Sequence, residues 1–465
     1  MSQATPPATT PQVQPLLRPF GMSEQPLPFV PFFDTPRLAA IVDEELPAER
    51  DSLYSPTFTL AVFVSQCLCP DGTCRAAVAR IIAWLVANGR RACSANSGPY
   101  CRARAWLPLK LFQRLVRLLG REPRHDLPES AKWLGHPVKV VDGSTVSMPD
   151  TKSLQAAFPQ QNQQKTGVGF PIARIVVVFC FAYGTVLDAA MGKYQGKATG
   201  ENKLFRSLDC IEPNDVILGD RFYGSFWELA LLDQKKAFGV FRVNASRRID
   251  FRKGTRLGKN DHLVVWLKPK KIPSGMDAAT YAALPEGIVV REVKFQVEQK
   301  GFRTKEVVVV TTLVDAEKYT VKALAALYYR RWDVELNIRS LKVLLGIDVL
   351  RCKSAEMVEK EFWARLLAYN VVRSVMAATA NAHRLRPEQL SFQGARQLLR
   401  ELSASVAGAT QSVREELWLA LLRAVAQHRV GDRPGRVEPR ARKRRPKSYP
   451  LLQTSRAEAR KRLLK

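Results

Sequence analysis

Three acidic side chains stand where a sequence can mount phosphate chemistry. Asp142 in "VKVVDGST" and Asp220 in "DVILGDRFY" each follow the last apolar residue of a short run that reads as a strand. A carboxylate there is fixed by a sheet and open to a ligand at its edge. Glu335 in "YYRRWDVELNIRSLK" is the third, set in a helical pattern. Carboxylates without histidine or paired cysteine are hard oxygen ligands, suited to Mg²⁺ or Mn²⁺ rather than zinc. Two such ions about 3.5–4 Å apart activate a water or a 3′-hydroxyl and stabilise the leaving oxygen of an in-line displacement at phosphorus. Each residue also has a plainer reading. An aspartate after a strand is often a turn former. Glu335 can pair along its helix with Arg331 and Arg339. Asp150 in "MPDT" rivals Asp142, but lies in a polar loop eight residues past the strand end.

The helix around Glu335 adds to the pattern. At about 100° per residue, Tyr328, Arg331, Glu335 and Lys342 fall at roughly 0°, −60°, −20° and −40°, a single narrow arc. Leu327, Val334, Ile338, Leu341 and Leu345 form a second stripe at roughly −80° to −140°, which reads as the buried face. A carboxylate ringed by three phosphate-binding side chains thus lines the rim of a core, although Tyr328 alone would also suit the core. Asp333 lies roughly 160° from Glu335 and cannot share its site.

The elements that must hold these residues change character along the chain. Residues 1–40 are rich in Pro, Gln and Thr and read as a flexible leader. Residues 41–130 are helical; "LPLKLFQRLVRLLGREPR" sets leucines among Lys110, Arg114, Arg117 and Arg121, either a solvated face or part of an all-α DNA-binding domain. From 131 to 243, strands and helices alternate as a mixed α/β sheet, with "IARIVVVFCFAYG" and "TVLDAAMGKY" as a hairpin about Gly184. Residues 244–313 alternate polar and apolar with Gly and Pro punctuation, a β-rich insertion or extension. Helices resume through 314–350 and 351–432. Residues 433–465 form a tail with 13 basic and 2 acidic residues, which suits sequence-independent anion binding.

Bulk composition points to a polyanion. The 465 residues include 72 Lys and Arg against 43 Asp and Glu, a net charge of +29. Such an excess repels itself in the compact state unless a polyanionic partner compensates it. No apolar run approaches the ~18 residues of a membrane span, and no charged-then-apolar leader opens the chain, so secretion is not expected. Five of the eight cysteines lie between Cys67 and Cys101, at spacings of 2, 5, 19 and 8. These do not form clean C-x₂-C pairs, so buried or reduced thiols are preferred over structural zinc.

Tyr328, Arg331, Glu335 and Lys342 match Y-x₂-R-x₃-E-x₆-K at every fixed position. With "VDGSTVSMPDT" and "LGDRFYGSFWELALL", the chain resembles the Y-R-E-K branch of the DDE insertion-sequence transposases, the insertion-sequence-four family. It departs at Phe222, where much of the family has a small residue. The resemblance implies an α/β fold: an RNase H-like mixed-sheet catalytic core (131–243 and 314–350) with a β-rich insertion (244–313), flanked by helical regions, of which 41–130 would be a DNA-binding domain. It implies that Asp142, Asp220 and Glu335 bind two divalent ions, Mg²⁺ or Mn²⁺, and that Tyr328, Arg331 and Lys342 contact DNA phosphates near a transposon end. The activity implied is cut-and-paste transposition: a homodimer binds inverted-repeat ends of double-stranded DNA, cleaves them through a hairpin intermediate and joins 3′ ends to target DNA. The expected setting is the bacterial cytoplasm, on the nucleoid, with no membrane. A non-transposing RNase H-like nuclease and an inactive DNA-binding derivative are the alternatives. In similar transposases the insertion helps hold a flipped base, which Trp266 in "VVWLKPK" can stack; the competing reading makes it a strand aromatic in the insertion's own core.

Overall fold

The computed structural model describes residues 36–46, 52–125, 127–196, 199–244, 246–296, 306–331, 337–405, 409–431 and 450–464. Nine strands form one sheet in the order β3-β2-β1-β4-β5-β9-β8-β7-β6. The first half contains β1 (Val138–Ser147), β2 (Ile172–Cys180), β3 (Val186–Lys193), β4 (Val216–Gly219) and β5 (Phe238–Arg242). Strand β1 pairs antiparallel with β2 and parallel with β4, and β4 pairs parallel with β5. That order and sense are those of an RNase H-like sheet. β2 reads IVVVFC almost without interruption because both its faces are covered. Val177 and Ile175 enter one apolar core, whereas Val176 and Val178 enter the other, the period-2 alternation of a strand. The β2–β3 turn closes at Gly184, whose φ of +68° suits glycine.

The second half comprises β6 (Thr255–Gly258), β7 (Asp261–Leu267), β8 (Gly287–Gln296) and β9 (Glu306–Thr311). It does not fold as a separate sheet. β9 pairs antiparallel with β5, Val240 opposite Thr311, and β8, β7 and β6 follow outward. Trp266 lies buried in β7, 2% exposed, with its indole N–H donating to Glu292 at 2.8 Å. The Arg247 guanidinium covers the ring at 3.6 Å from its centroid. The base-stacking expectation for Trp266 therefore gives way to the strand-core reading: the face is capped and the ring packed.

Helices cover the sheet. The N-terminal ones are α1 (Pro36–Glu45), α2 (Pro56–Leu68), α3 (Cys74–Ala87), α4 (Gly98–Trp106) and α5 (Leu109–His125). The basic stripe of α5 is occupied from within. Lys110 and Arg114 pair with Glu45, Arg114 also with Glu44, Arg117 with buried Asp188, and Arg121 donates to the Asp209 carbonyl. Short helices α6 (Lys152–Ala157), α7 (Glu201–Arg206), α8 (Phe226–Gln234) and α9 (Ala278–Ala283) punctuate the strands, and α10 (Val321–Tyr329) follows β9. The 28-residue helix α11 (Ala355–Ala382) is buried on nearly every side, so it serves as a core helix. Its Asn370 accepts from Val186 N–H and donates to the carbonyls of Val186 and Val116, tying α11 to β3 and α5. α12 (Phe392–Ser405), α13 (Gln411–Gln427) and α14 (Arg456–Leu463) complete the order. Among the described residues no helix is long and apolar enough to cross a membrane.

Candidate active site

β1 and β4 run parallel, with Val138, Lys139 and Val140 opposite Val216, Ile217 and Leu218. Two residues beyond that ladder stand Asp142, still within β1, and Asp220, just past the end of β4, on neighbouring strands whose ordinary spacing is about 4.8 Å. Alternation along the strand turns Asp142 to the face of Val140, the same core that receives Leu324, Leu327 and Tyr328 of α10. Asp142 Oδ1 accepts from the N–H of Gly143 at 2.8 Å, and Asp220 Oδ1 from the N–H of Phe222 at 2.8 Å. These bonds fix one oxygen of each carboxylate, and among the described residues none is made to the other. Phe222 is 60% exposed, so the bulk at this position points to solvent and the Asp220 turn forms around it.

The Asp142 carboxyl is pushed up to about 6. Burial is the main cause, and the charges of Asp220 and Glu201 add to it, while the Gly143 N–H and Arg331 oppose it. Carboxylates whose charges act on each other in this way without a cation destabilise each other. This is the electrostatic condition that a hard divalent ion relieves, so the donor set fits such an ion.

The neighbouring segment arrives in pieces. α10 ends at Tyr329, Arg330 is a turn residue, and Ser340–Leu344 forms a π-helical turn closed by the Leu345 N–H to Ser340 carbonyl bond at 3.1 Å. A straight α-helical wheel from 328 to 345 therefore does not hold: a π turn takes up an extra residue and rotates the residues downstream of it. Gly346, at φ +64°, ends the turn. The chain then bonds to the end of β1, through Ser147 N–H to Asp348 and Leu350 N–H to Ser147. This anchorage brings Lys342 to β1, where its ammonium donates to Ser144 Oγ at 2.9 Å, two residues from Asp142. Arg331 lies 5.7 Å from the Tyr328 ring centroid. Tyr328 itself is 2% exposed, and burial pushes its hydroxyl above the ordinary range while Arg331 and Arg242 pull it down. Glu335 lies outside the described residues, among 332–336. Among the described residues, no three His, Cys, Asp or Glu side chains close into a metal cage, the cysteines included. Asp150, the rival to Asp142, accepts from the Gln155 side chain in its loop.

Residues 133–371 match the family described as transposase DDE domain. The chain belongs to the DDE transposase family. The match spans the segment that carries Asp142, Asp220 and the Y-R-E-K residues, and the resemblance to the insertion-sequence-four branch holds. The transposase is 29% identical over 333 residues to transposase InsG for insertion sequence element IS4 of Escherichia coli K12, covering 70% of this chain and 72% of that one. It is also 32% identical over 69 residues to the transposase for insertion sequence element IS421 of Escherichia coli, covering 15% and 19%. A piggyBac transposase synaptic complex with hairpin DNA aligns over 85% of this chain and 82% of that one, at a TM-score of 0.40 and 11% identity. DDE transposases act on DNA and generally use divalent metal ions.

One acidic residue beside Asp142 was not apparent from the sequence. Glu201, in the first turn of α7, packs against Gly143: a Cβ on Gly143 would lie 2.4 Å from Glu201 Cδ and 2.5 Å from its Oε2. Burial raises the Glu201 carboxyl, Arg174 lowers it, and Asp220 raises it further. The available sequence signal was slight: an acidic residue opening a short helix, "GENKLFR", is ordinary N-terminal chemistry.

Proposed function

We propose that this transposase is a cut-and-paste enzyme that binds the inverted-repeat ends of its element and cleaves and joins DNA by metal-dependent phosphoryl transfer. The observation that carries the proposal is that Asp142, within β1, and Asp220, just past β4, both follow the parallel β1–β4 pairing by two residues and act on each other electrostatically, with Lys342 reaching Ser144 beside Asp142. Asp142, Asp220 and Glu335 would hold two Mg²⁺ ions. Bound there, the ions would lower the pKa of an attacking water or hydroxyl and neutralise charge on the departing oxygen.

The chain's own residues do the positioning. Asp142 and Asp220 hold fixed oxygens toward the scissile phosphate. Arg331 and Lys342 would contact the flanking phosphates as cations, each replacing a condensed counterion, and the buried Tyr328 would contribute through its ring, which supports Arg331. A first hydrolytic cut frees a 3′-hydroxyl, which attacks the opposite strand to form a hairpin. A second hydrolysis reopens it, and the 3′ end then attacks target DNA. Every step is an in-line displacement, so one centre serves them all. A homodimer would bring the two ends together. Residues 131–243 and 314–350 would form the catalytic core, 244–313 its β-rich insertion, and 41–130 a DNA-binding region. The basic segment 433–465 would act as a sequence-independent DNA arm.

The test is incubation of the protein with DNA carrying its own element's ends and Mg²⁺, resolved on denaturing gels. Nicked and hairpin products followed by joined products support the reading. Cleavage without joining on paired ends points instead to a simple nuclease. Glu335→Gln is expected to abolish cleavage and retain end binding at fixed salt; retained cleavage removes Glu335 from the mechanism.

A further inference from the structure

Glu201 and Tyr223 are left unexplained by the three-carboxylate reading. Glu201 lies on α7, which packs on β2 and β3, yet its carboxylate reaches across to the backbone beside Asp142, where only a glycine leaves room for it. Its side chain is 20% exposed, and its sole charged partner among the described residues, Arg174, stands at 3.7 Å, beyond hydrogen-bond length. Among those residues no donor satisfies its oxygens. A sheltered carboxylate without donors calls for an explanation.

Tyr223 supplies the second observation. Its ring is fully buried, packed edge-on to Phe205 at 5.3 Å. Its hydroxyl has no hydrogen-bond partner among the described residues. The charges acting on that hydroxyl are those of Glu201 first, then Asp142, Asp220 and Glu228. A buried phenol normally finds a partner, and this one sits beneath the acidic cluster with its bond unmade. Two further contacts hold the arrangement. Asn202, the next residue after Glu201, donates to the Phe222 carbonyl at 3.0 Å, joining α7 to the Asp220 turn. Arg206 donates to buried Glu228 at 3.0 Å, joining α7 to α8.

We propose that Glu201 is a fourth acid of the metal centre, a positioning residue that accepts hydrogen bonds from water carried by the divalent ion beside Asp142, with the unpartnered Tyr223 hydroxyl as a further donor to that cluster once the ion is bound. This rests on the proposed metal-dependent reading and adds a residue to it. Glu201 does not replace Glu335: Asp142, Asp220 and Glu201 alone do not close into a cage. Its position instead makes it an outer partner of the ion. Outer partners of this kind typically change metal affinity by about 10- to 100-fold.

The experiment measures Mn²⁺ binding to the DNA-free protein by electron paramagnetic resonance, at pH 7.5, for wild type, Asp142→Asn, Glu201→Gln, Gly143→Ala and Tyr223→Phe. Glu201→Gln is expected to weaken Mn²⁺ by about 10-fold or more. Gly143→Ala is expected to act in the same direction, since its methyl displaces the Glu201 carboxylate while Asp142 keeps its charge. Tyr223→Phe is expected to give a smaller loss, and Glu201→Asp to recover part of the affinity. Unaltered Mn²⁺ affinity in Glu201→Gln, with Asp142→Asn impaired, overturns the role of Glu201 and leaves the metal-dependent reading intact. Unaltered affinity in Asp142→Asn overturns that reading itself. Should Glu201→Gln fail to fold, Gly143→Ala and Tyr223→Phe decide: wild-type Mn²⁺ affinity in both overturns the proposal.

Discussion

Replacing Asp142 by asparagine should make the metal-free transposase more stable while disabling it. The Asp142 carboxyl sits at about 6 in the folded protein against 3.8 for the free side chain, mostly through burial. The native state therefore holds a proton that the unfolded chain has already released between about pH 4 and pH 6, and stability falls as pH rises through that window. Above it the charged group carries its whole cost, about 3 kcal/mol. Asparagine keeps the acceptor for the Gly143 N–H and carries no charge. The variant should thus exceed wild type by about 3 kcal/mol at pH 8, by about half that at pH 5, and by little at pH 4. For a chain of this length, each kcal/mol corresponds to roughly 1–2 °C in Tm, following the size trend. A thermal melt in EDTA should accordingly show a gap of about 3–6 °C at pH 8 that closes on acidification. Mg²⁺ should raise the wild-type Tm and leave the variant nearly unmoved. Equal Tm values at pH 8, or a less stable variant, would refute the claim that unrelieved charge at this position strains the fold.

Lys342→Ala should weaken binding to end DNA and reduce the log–log salt slope by about 0.9, the signature of one lost phosphate contact, in a fluorescence anisotropy titration across salt. An unchanged slope would leave Lys342 as a tether to Ser144 only. Trp266→Ala should cost about 3–5 kcal/mol by urea or thermal unfolding, as a cavity in a packed sheet does. Trp266→Phe should cost about 1–3 kcal/mol, because the buried Oε1 of Glu292 loses the indole donor. A Trp266→Ala variant of normal stability but defective on hairpin DNA would restore the stacking role. Glu228→Gln should destabilise by about 1–3 kcal/mol, since the half-buried Arg206 loses its buried counter-charge; near-neutral stability would show that this pair does not hold α7 in place.

Legibility followed the range of the interactions involved. Asp220 could be singled out because a strand end is marked locally, by an apolar run that stops; Asp142 was singled out by the same sign, but β1 runs on to Ser147 past it, paired with β2. The β2–β3 hairpin was readable for the same reason, with Gly184 at its turn. Lys342 was named from helical spacing, but a π turn and the bonding of Asp348 and Leu350 to Ser147 bring it to the strand, and spacing contains neither. The basic stripe of α5 carried no sign that Glu44, Glu45 and Asp188, from two other elements, pair with it. Trp266 gave no local sign of being capped by Arg247. Glu201 was overlooked because its contact with Gly143 joins residues far apart in the chain, and a glycine in "VDGST" reads as a turn residue.

The way β9 zips onto β5 has a practical consequence for anyone seeking a miniature of this protein. Cutting out residues 244–313 would strip the partner from Phe238–Arg242 and leave a naked, apolar strand with its amides pointing outward. Such a rim recruits any strand it meets, so a trimmed version should clump in solution. The appended strands thus act as the selvedge of the fabric, and function cannot be pared down to the core without supplying another hem.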